Sequence, residues 1–351
     1  MPTHKPWTSH LDRACAVVRE GIERKEAHST VMAVADAQEV IRLEIAAPAD
    51  GSEAVAADSI FLLASITKPF IGVAIMQLVE QGRLLLGEPV TRYVPEFGRL
   101  GKGQVTLWNL LTHTSGLAEE MEEPAWRAGA PATAHLEAAY NSFLHFPPGS
   151  QYEYCNLSFW VLAEVIARVS GEPYAEYLRR HLWEPLGMDD TGFDFADGRA
   201  ARMMPVHSID PAFPTDEAAL RYWRSLAVPA GGLWSTAGDL VKFGQALLAG
   251  LAGRRNPLLG RAGIEWMTRL HTSGLRDRAS GLPAYYGLCW GKPSADGALL
   301  GTPAAFGHGG ATGTLLWIEP DYNLVFVFLT NIWGQPNRVA MLALNAILAG
   351  W

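Results

Sequence analysis

Cysteine is scarce in this chain: Cys15, Cys155 and Cys289 are the only three in 351 residues, odd in number, far apart and without a Cys-x-x-Cys pair. That pattern fits neither a disulfide framework nor a cysteine-based zinc site, and the three read as buried or free thiols. Charge is thin as well. Asp, Glu, Lys and Arg make up 18% of the chain against 49% hydrophobic residues, and the net charge is −8. A compact globular protein fits that balance, whereas nucleic acid, which demands a basic stripe, is not expected as a partner. Long apolar runs are missing too: the most apolar stretch, 70–79, is too short to span a bilayer and stops at Glu80. The first residues, Met1-Pro2-Thr3-His4-Lys5-Pro6-Trp7, lead into a charged amphipathic segment rather than the apolar core of a secretory signal. The expectation is a cytoplasmic protein with no membrane span.

What is present organises the chain from both ends. Leu11, Ala14, Cys15, Val18 and Ile22 recur at helical spacing and predict an amphipathic helix over about 9–27. A hairpin follows: the apolar run 30–35, a turn at 36–38, then Ile41, Leu43 and Ile45 alternating with Arg42 and Glu44. Near the C-terminus, 313–318 and 324–330 are apolar, aromatic-rich runs joined by Glu319-Pro320-Asp321-Tyr322-Asn323, a strong turn signal, and a helix over about 337–348 closes the chain. The middle is mostly helical. It holds a helix at 66–81 stopped by Gly82, one at 157–169 ended by Ser170-Gly171, and one at 237–248 capped by Ser235 or Thr236 and ended by Gly250. Loops at 119–131 and 194–216 are of the kind that frame sites. The predicted fold class is α+β: an antiparallel sheet flanked by terminal helices, built from 1–64 and 285–351, with 65–284 as an inserted, mostly helical domain and the site between them.

The most informative residues lie in Ala64-Ser65-Ile66-Thr67-Lys68-Pro69-Phe70. Residues three apart share a helix face, so a serine at a helix start and a lysine one turn later bring hydroxyl and amine within hydrogen-bond reach. The helix N-terminus favours a developing oxyanion and disfavours a protonated lysine. Alone, the pair reads equally as an N-cap serine followed by a solvated lysine. Two further segments weigh against that. Tyr154 and Asn156 are two apart in an extended stretch ahead of a buried helix, so both point to one side, and an ammonium nearby is expected to lower the phenol's pKa. Cys155 between them points away and reads as a small hydrophobe. Phe306-Gly307-His308-Gly309-Gly310-Ala311 opens a strand with glycines that let a substrate approach exposed backbone N–H groups. His113, Ser115 and the pair Asp189-Asp190 read as turn residues.

In this order and at these separations, the three segments resemble the serine penicillin-recognising superfamily, in its class C β-lactamase-like branch with the D-peptidases and family VIII carboxylesterases. That family has Ser-x-x-Lys at a helix start, Tyr-x-Asn on a loop, then Lys/His-Thr/Ser-Gly on a strand. Secondary phrases match as well: Leu110-Leu111-Thr112-His113-Thr114-Ser115-Gly116-Leu117, Gly231-Gly232-Leu233-Trp234-Ser235-Thr236 and Trp317-Ile318-Glu319-Pro320. The resemblance runs from about Ala35 to the C-terminus and implies a β-lactamase/transpeptidase-like fold. It implies Ser65 as acylated nucleophile, Lys68 as base or electrostatic support, Tyr154 as proton relay, and Asn156 as the group orienting Lys68 and substrate. The N–H groups of Ser65 and Ala311, the latter following His308-Gly309-Gly310, would form an oxyanion hole. Gly-x-Ser-x-Gly occurs nowhere, so an α/β-hydrolase elbow does not compete.

His308-Gly309-Gly310 lacks the cation and the hydroxyl of Lys-Thr-Gly, so a weaker grip on a substrate carboxylate is expected. The reading is therefore a serine hydrolase that forms an acyl-enzyme on small esters, without metal or other cofactor. Its alternatives are a β-lactamase, DD-peptidase or D-amino-acid amidase, an acyltransferase, or a catalytically silent binding module. The partner is a small ester or amide, and oligomeric state is left open.

Overall fold

The computed structural model describes residues 8–295 and 298–351. Its main elements, in chain order, are α1 (Thr8–Glu23), β1 (Thr30–Ala35), β2 (Val40–Ala46), α2 (Thr67–Glu80), α3 (Leu157–Ser170), α4 (Ala237–Leu251), β3 (Phe306–Gly309), β4 (Leu315–Glu319), β5 (Leu324–Leu329) and α5 (Arg338–Leu348). The five strands form one antiparallel sheet in the order β2-β1-β5-β4-β3. Both chain ends therefore meet in the sheet, where Val31 faces Leu329 and Ala35 faces Val325. The α+β architecture is the one expected.

Strand periodicity divides the core in two. Met32, Val34, Phe326 and Phe328 pack against Leu11, Cys15 and Val18 of α1 and Ala340 and Leu344 of α5. Val31, Ala33, Val325 and Val327 face the other way, into a larger core that includes Phe243 and Leu247 of α4 and the apolar helices α2 and α3. All six residues of β1 are buried, because both faces of the sheet are covered there. No helix of the described residues is long and apolar enough to cross a membrane.

The structure departs from the sequence expectations in four places. Helix α1 ends at Glu23, not near Ala27, because Lys25 takes a left-handed conformation (φ 59°) and Glu26 N–H bonds back to Gly21 O. Helix α4 runs through Gly250 to Leu251; the glycine serves close packing, since a Cβ there would collide with Ile264. The segment 119–131 is wound into short turns at Glu119–Glu122 and Glu123–Arg127 rather than left as open loop. On edge strand β2 the polar side chains turn inward: Glu44 meets Arg19 (2.8 Å) and Arg42 meets Asp12 (2.7 Å), both on α1, while Leu43 and Ile45 are 42% and 41% exposed. The other face is largely exposed at this edge, so alternation alone did not say which face was buried.

Candidate active site

Ser65 is held from two sides. Phe61–Leu62 pairs antiparallel with Trp234–Ser235, and Leu63 N–H donates to Leu233 O (2.8 Å), which seats the chain just before the serine. From the sheet, Thr312 Oγ1 donates to Leu62 O (2.8 Å) and Thr314 Oγ1 to Leu63 O (3.1 Å). Gly310 must be glycine there, since a Cβ would strike Leu63 O and Thr314 Oγ1. Between these clamps Ala64 is forced to φ 48°, and Ser65 sits in the single turn Ala64–Ile66 that opens α2. Left-handed non-glycine residues are costly and cluster at functional sites. Three others, His113, Ala227 and Cys289, lie in segments that pack around this one.

Lys68 is fully buried and bonded three times: to Ser65 Oγ (3.0 Å), Asn156 Oδ1 (2.7 Å) and Ala230 O (2.7 Å). The orientation of Asn156 is fixed independently, because its Nδ2 donates to Glu119 Oε1 (2.6 Å), a group that only accepts when ionised. Burial lowers the Lys68 amine to about 7, with the Glu119 charge opposing. A neutral amine has two N–H groups and one lone pair. Asn156 Oδ1 and Ala230 O can only accept, so they take both donors and the lone pair is left facing the Ser65 hydroxyl. The three bonds thus select the basic geometry.

Tyr154 is buried beside this pair, its ring 4.7 Å from Lys68 Nζ and stacked on His113 at 4.3 Å. Burial raises the phenol well above its ordinary value, and its hydrogen bond with Ser65 only partly offsets this. This reverses the expected lowering: removal from water outweighs the nearby amine, which burial leaves only about half protonated near pH 7, so Tyr154 is a neutral O–H at pH 7. His113 lies beneath it, accepting the Cys155 N–H at Nδ1 (3.0 Å), and burial together with Lys68 holds its imidazole neutral. Ser115 is buried and caps Leu117 N–H, and Asp190 pairs with Arg202, so neither joins the site. Cys155 is a buried free thiol with a side-chain hydrogen bond to Glu119.

The strand motif is placed less simply. Tyr286 O–H donates to His308 Nε2 (2.8 Å), and His308 Nδ1–H donates to Gly309 O (2.7 Å), so both ring nitrogens are used. Burial pushes this imidazole down to about 3. His308 is thus a neutral support behind the strand, not a side chain reaching for a substrate. Gly310 N–H is spent on Thr314 O (2.8 Å), whereas Ala311 N–H has no partner among the described residues and Ala311 lines the cavity beside Ser65.

That cavity, about 800 Å³, has Ser65, Tyr154, Asn156 and Ala311 at one end. Aromatic rings form much of the remaining wall, including Trp126, Trp223, Phe213 and Trp333; Phe213 and Trp333 stack at 3.8 Å. Glu119, Glu122 and Glu123 line it, and its single lining cation among the described residues is Arg127, exposed and ion-paired with Glu123. Sequence reading missed Glu119, the Ala230 carbonyl and the support of His113. Glu119 sits at no diagnostic spacing from Asn156, and a backbone carbonyl has no residue signature at all.

The sequence model of the family described as Beta-lactamase matches residues 16–350. Among curated relatives, Esterase EstB of Burkholderia gladioli is 31% identical over 342 residues, covering 87% of this chain and 84% of its own. The D-alanyl-D-alanine-carboxypeptidase/endopeptidase AmpH of Escherichia coli (strain K12) is 32% identical over 209 residues, a match spanning 55% of this chain and only 50% of AmpH. Among solved structures, EstCE1, described as a hydrolase with promiscuous acyltransferase activity, superimposes with a TM-score of 0.81 at 20% identity, covering 97% of this chain and 99% of that one.

Proposed function

Because this chain belongs to the β-lactamase family, we propose that it is a serine hydrolase working through an acyl-enzyme at Ser65, and that its substrates are small carboxylic esters with apolar groups. The observation that carries this reading is the geometry of Lys68, whose Nζ lies 3.0 Å from Ser65 Oγ and 2.7 Å from each of two acceptors, Asn156 Oδ1 and Ala230 O, so that the neutral amine turns its lone pair to the Ser65 hydroxyl. Lys68 takes the hydroxyl proton as Ser65 Oγ attacks the ester carbonyl. The carbonyl oxygen becomes an oxyanion between Ser65 N–H, without a partner among the described residues, and Ala311 N–H. Tyr154 O–H relays the proton to the departing alcohol, leaving the acyl group on Ser65. Water then adds with the same groups reversed, releasing the carboxylic acid and restoring Ser65.

The cavity supports esters over carboxylate-bearing lactams and peptides. Three carboxylates line it, its one cation is already paired, and His308 is sequestered by Tyr286 and its own strand. An anionic substrate would enter a negative, largely apolar space. The match to AmpH favours D-alanyl peptide hydrolysis as a second reading. In the same proposal, 1–64 and 285–351 act as the sheet domain and 65–284 as the helical one, and a cytoplasmic setting is supported by the three buried free thiols.

The test is a fluorophosphonate adduct mapped by peptide mass, together with a panel of p-nitrophenyl esters and chromogenic cephalosporins. One equivalent on Ser65 is expected, with kcat/KM for the ester at least about tenfold above any cephalosporin, a gap of about 1.4 kcal/mol. An adduct on another serine overturns the nucleophile. Efficient cephalosporin or D-Ala-D-Ala cleavage with little ester turnover overturns the substrate class.

A further inference from the structure

Away from Ser65, three segments distant in sequence converge on a second cluster. His28 lies just before β1, Glu53 in the connection after β2, and His207 on the two-residue strand His207–Ser208 within 194–216. One donor atom from each, a ring nitrogen from each histidine and a carboxylate oxygen, lies within 4.8 Å of the others. His28 Nδ1 is 3.3 Å from Glu53 Oε2, and His207 Nε2 is in direct contact with Glu53 Oε1. The two imidazole rings are 4.5 Å apart. A tetrahedral ion with bonds of about 2.0–2.1 Å sets its ligand atoms about 3.3 Å from one another, so the first of these spacings already fits.

Glu53 is held ready. Its Oε2 accepts from Ser29 Oγ (2.7 Å) and Asn331 Nδ2 (3.0 Å), and its side chain is only 10% exposed. Such outer bonds orient a ligating carboxylate. Asn331 also donates to Pro205 O (2.8 Å), so the residue that orients Glu53 also grips the strand bearing His207. His207 is 46% exposed, which leaves an entry path and a free coordination position for water. Two imidazoles and one carboxylate form a nitrogen-rich, borderline donor set that suits zinc-class ions and not calcium or magnesium, which take oxygen ligands.

We propose that His28, Glu53 and His207 bind one divalent transition-metal ion of the zinc class, outside the Ser65 machinery. The ion would fasten 194–216 to the edge of the sheet. The consequence for the active site is mechanical: His207–Ser208 pairs in parallel with Ile332–Trp333, and Trp333 stacks on Phe213 of 194–216, so the stapled segment carries one wall residue of the cavity and abuts another.

The experiment uses tag-free, chelator-treated full chain titrated with Co²⁺ and then Zn²⁺, followed by visible absorption and calorimetry. One equivalent of Co²⁺ with ligand-field bands, displaced by Zn²⁺, is expected. His28→Ala, Glu53→Gln and His207→Ala should each weaken binding at least about tenfold, whereas Ser65→Ala should bind as the wild type does. Because His207→Ala removes packing as well as a ligand, His207→Gln, checked by circular dichroism, serves as the folded control and should lose the ion too. Zn²⁺ should raise the thermal midpoint of the wild type and not of the three variants, since only a native-state ligand stabilises by mass action. No uptake, or equal uptake by wild type and all variants, overturns the site and leaves a hydrogen-bonded His-Glu-His cluster.

Discussion

The two ends of the cavity follow opposite rules. Around Ser65 the polar side chains are held by directional contacts: Lys68 has three partners, Asn156 is oriented by Glu119, and Tyr154 is pressed between His113 and the amine. Across the cavity, Trp126, Trp223, Phe213 and Trp333 offer rings and almost no directional bonds. Hydrogen bonds specify position to fractions of an ångström, whereas apolar contact rewards area and tolerates shape. The chemistry is therefore held in one geometry while the substrate is only sorted by size and polarity. A protein built this way is expected to keep one reaction and accept many acyl or alcohol groups.

The largest effect expected from breaking the polar end is in Ser65→Ala, which should lower ester turnover by about 10⁴-fold or more with the circular dichroism spectrum unchanged. Retained turnover would move the nucleophile elsewhere. Next, Lys68→Ala and Tyr154→Phe should each cost about 10²-fold or more in kcat, and the double variant far less than the product, because the two residues move one proton. Multiplicative losses would show that they act separately. With the Lys68 amine at about 7 and only the neutral form acting as base, kcat/KM should fall as pH drops below that value and level off above it. A flat profile from pH 5 to 8, measured on a neutral ester, would remove Lys68 as the base.

The apolar end should respond differently. Trp333→Ala should raise KM for a bulky ester by about tenfold while kcat for acetate stays within about twofold, since the ring contributes area and not chemistry. A matching fall in kcat for both esters would mean that the wall also positions the reacting carbonyl. The smallest effect belongs to His308. Its imidazole is neutral and buried, with a folded value of about 3 against about 6.5 when unfolded. Between those values the unfolded chain binds the extra proton, so this histidine contributes stability above pH 6.5 that is lost as pH falls toward 3. His308→Gln should therefore flatten the pH dependence of the unfolding free energy in that window and change ester kinetics at pH 7 only slightly. A collapse of activity would show that the imidazole acts directly.

How far the sequence could be read differs by element. The terminal helices and the strands of 30–35 and 324–329 were legible because their apolar residues recur with the period of a covered element. Strand β2 misled, since its alternation was visible but the covered face was not. At the site, Ser65, Lys68, Tyr154 and Asn156 were legible because Ser-x-x-Lys and Tyr-x-Asn are local patterns whose order resembles that of a known family, and the structure brings all four together. Glu119 and the Ala230 carbonyl were not, because their value depends on where the chain returns to Lys68.

By itself the sequence determined the residue types that can do the chemistry, their order, and the periodicities that build the sheet and its flanking helices. Those are properties of neighbours along the chain, where a few residues suffice to set geometry. Tertiary structure alone decided the protonation states. Lys68 has a lowered pKa because burial removes it from water, and two carbonyl oxygens, 88 and 162 residues further along the chain, accept from it, which is what fits it for the proposed role of base. Tyr154 stays a phenol and His308 stays neutral for the same reason. Desolvation is a property of the assembled interior, and no local run of residues encodes it.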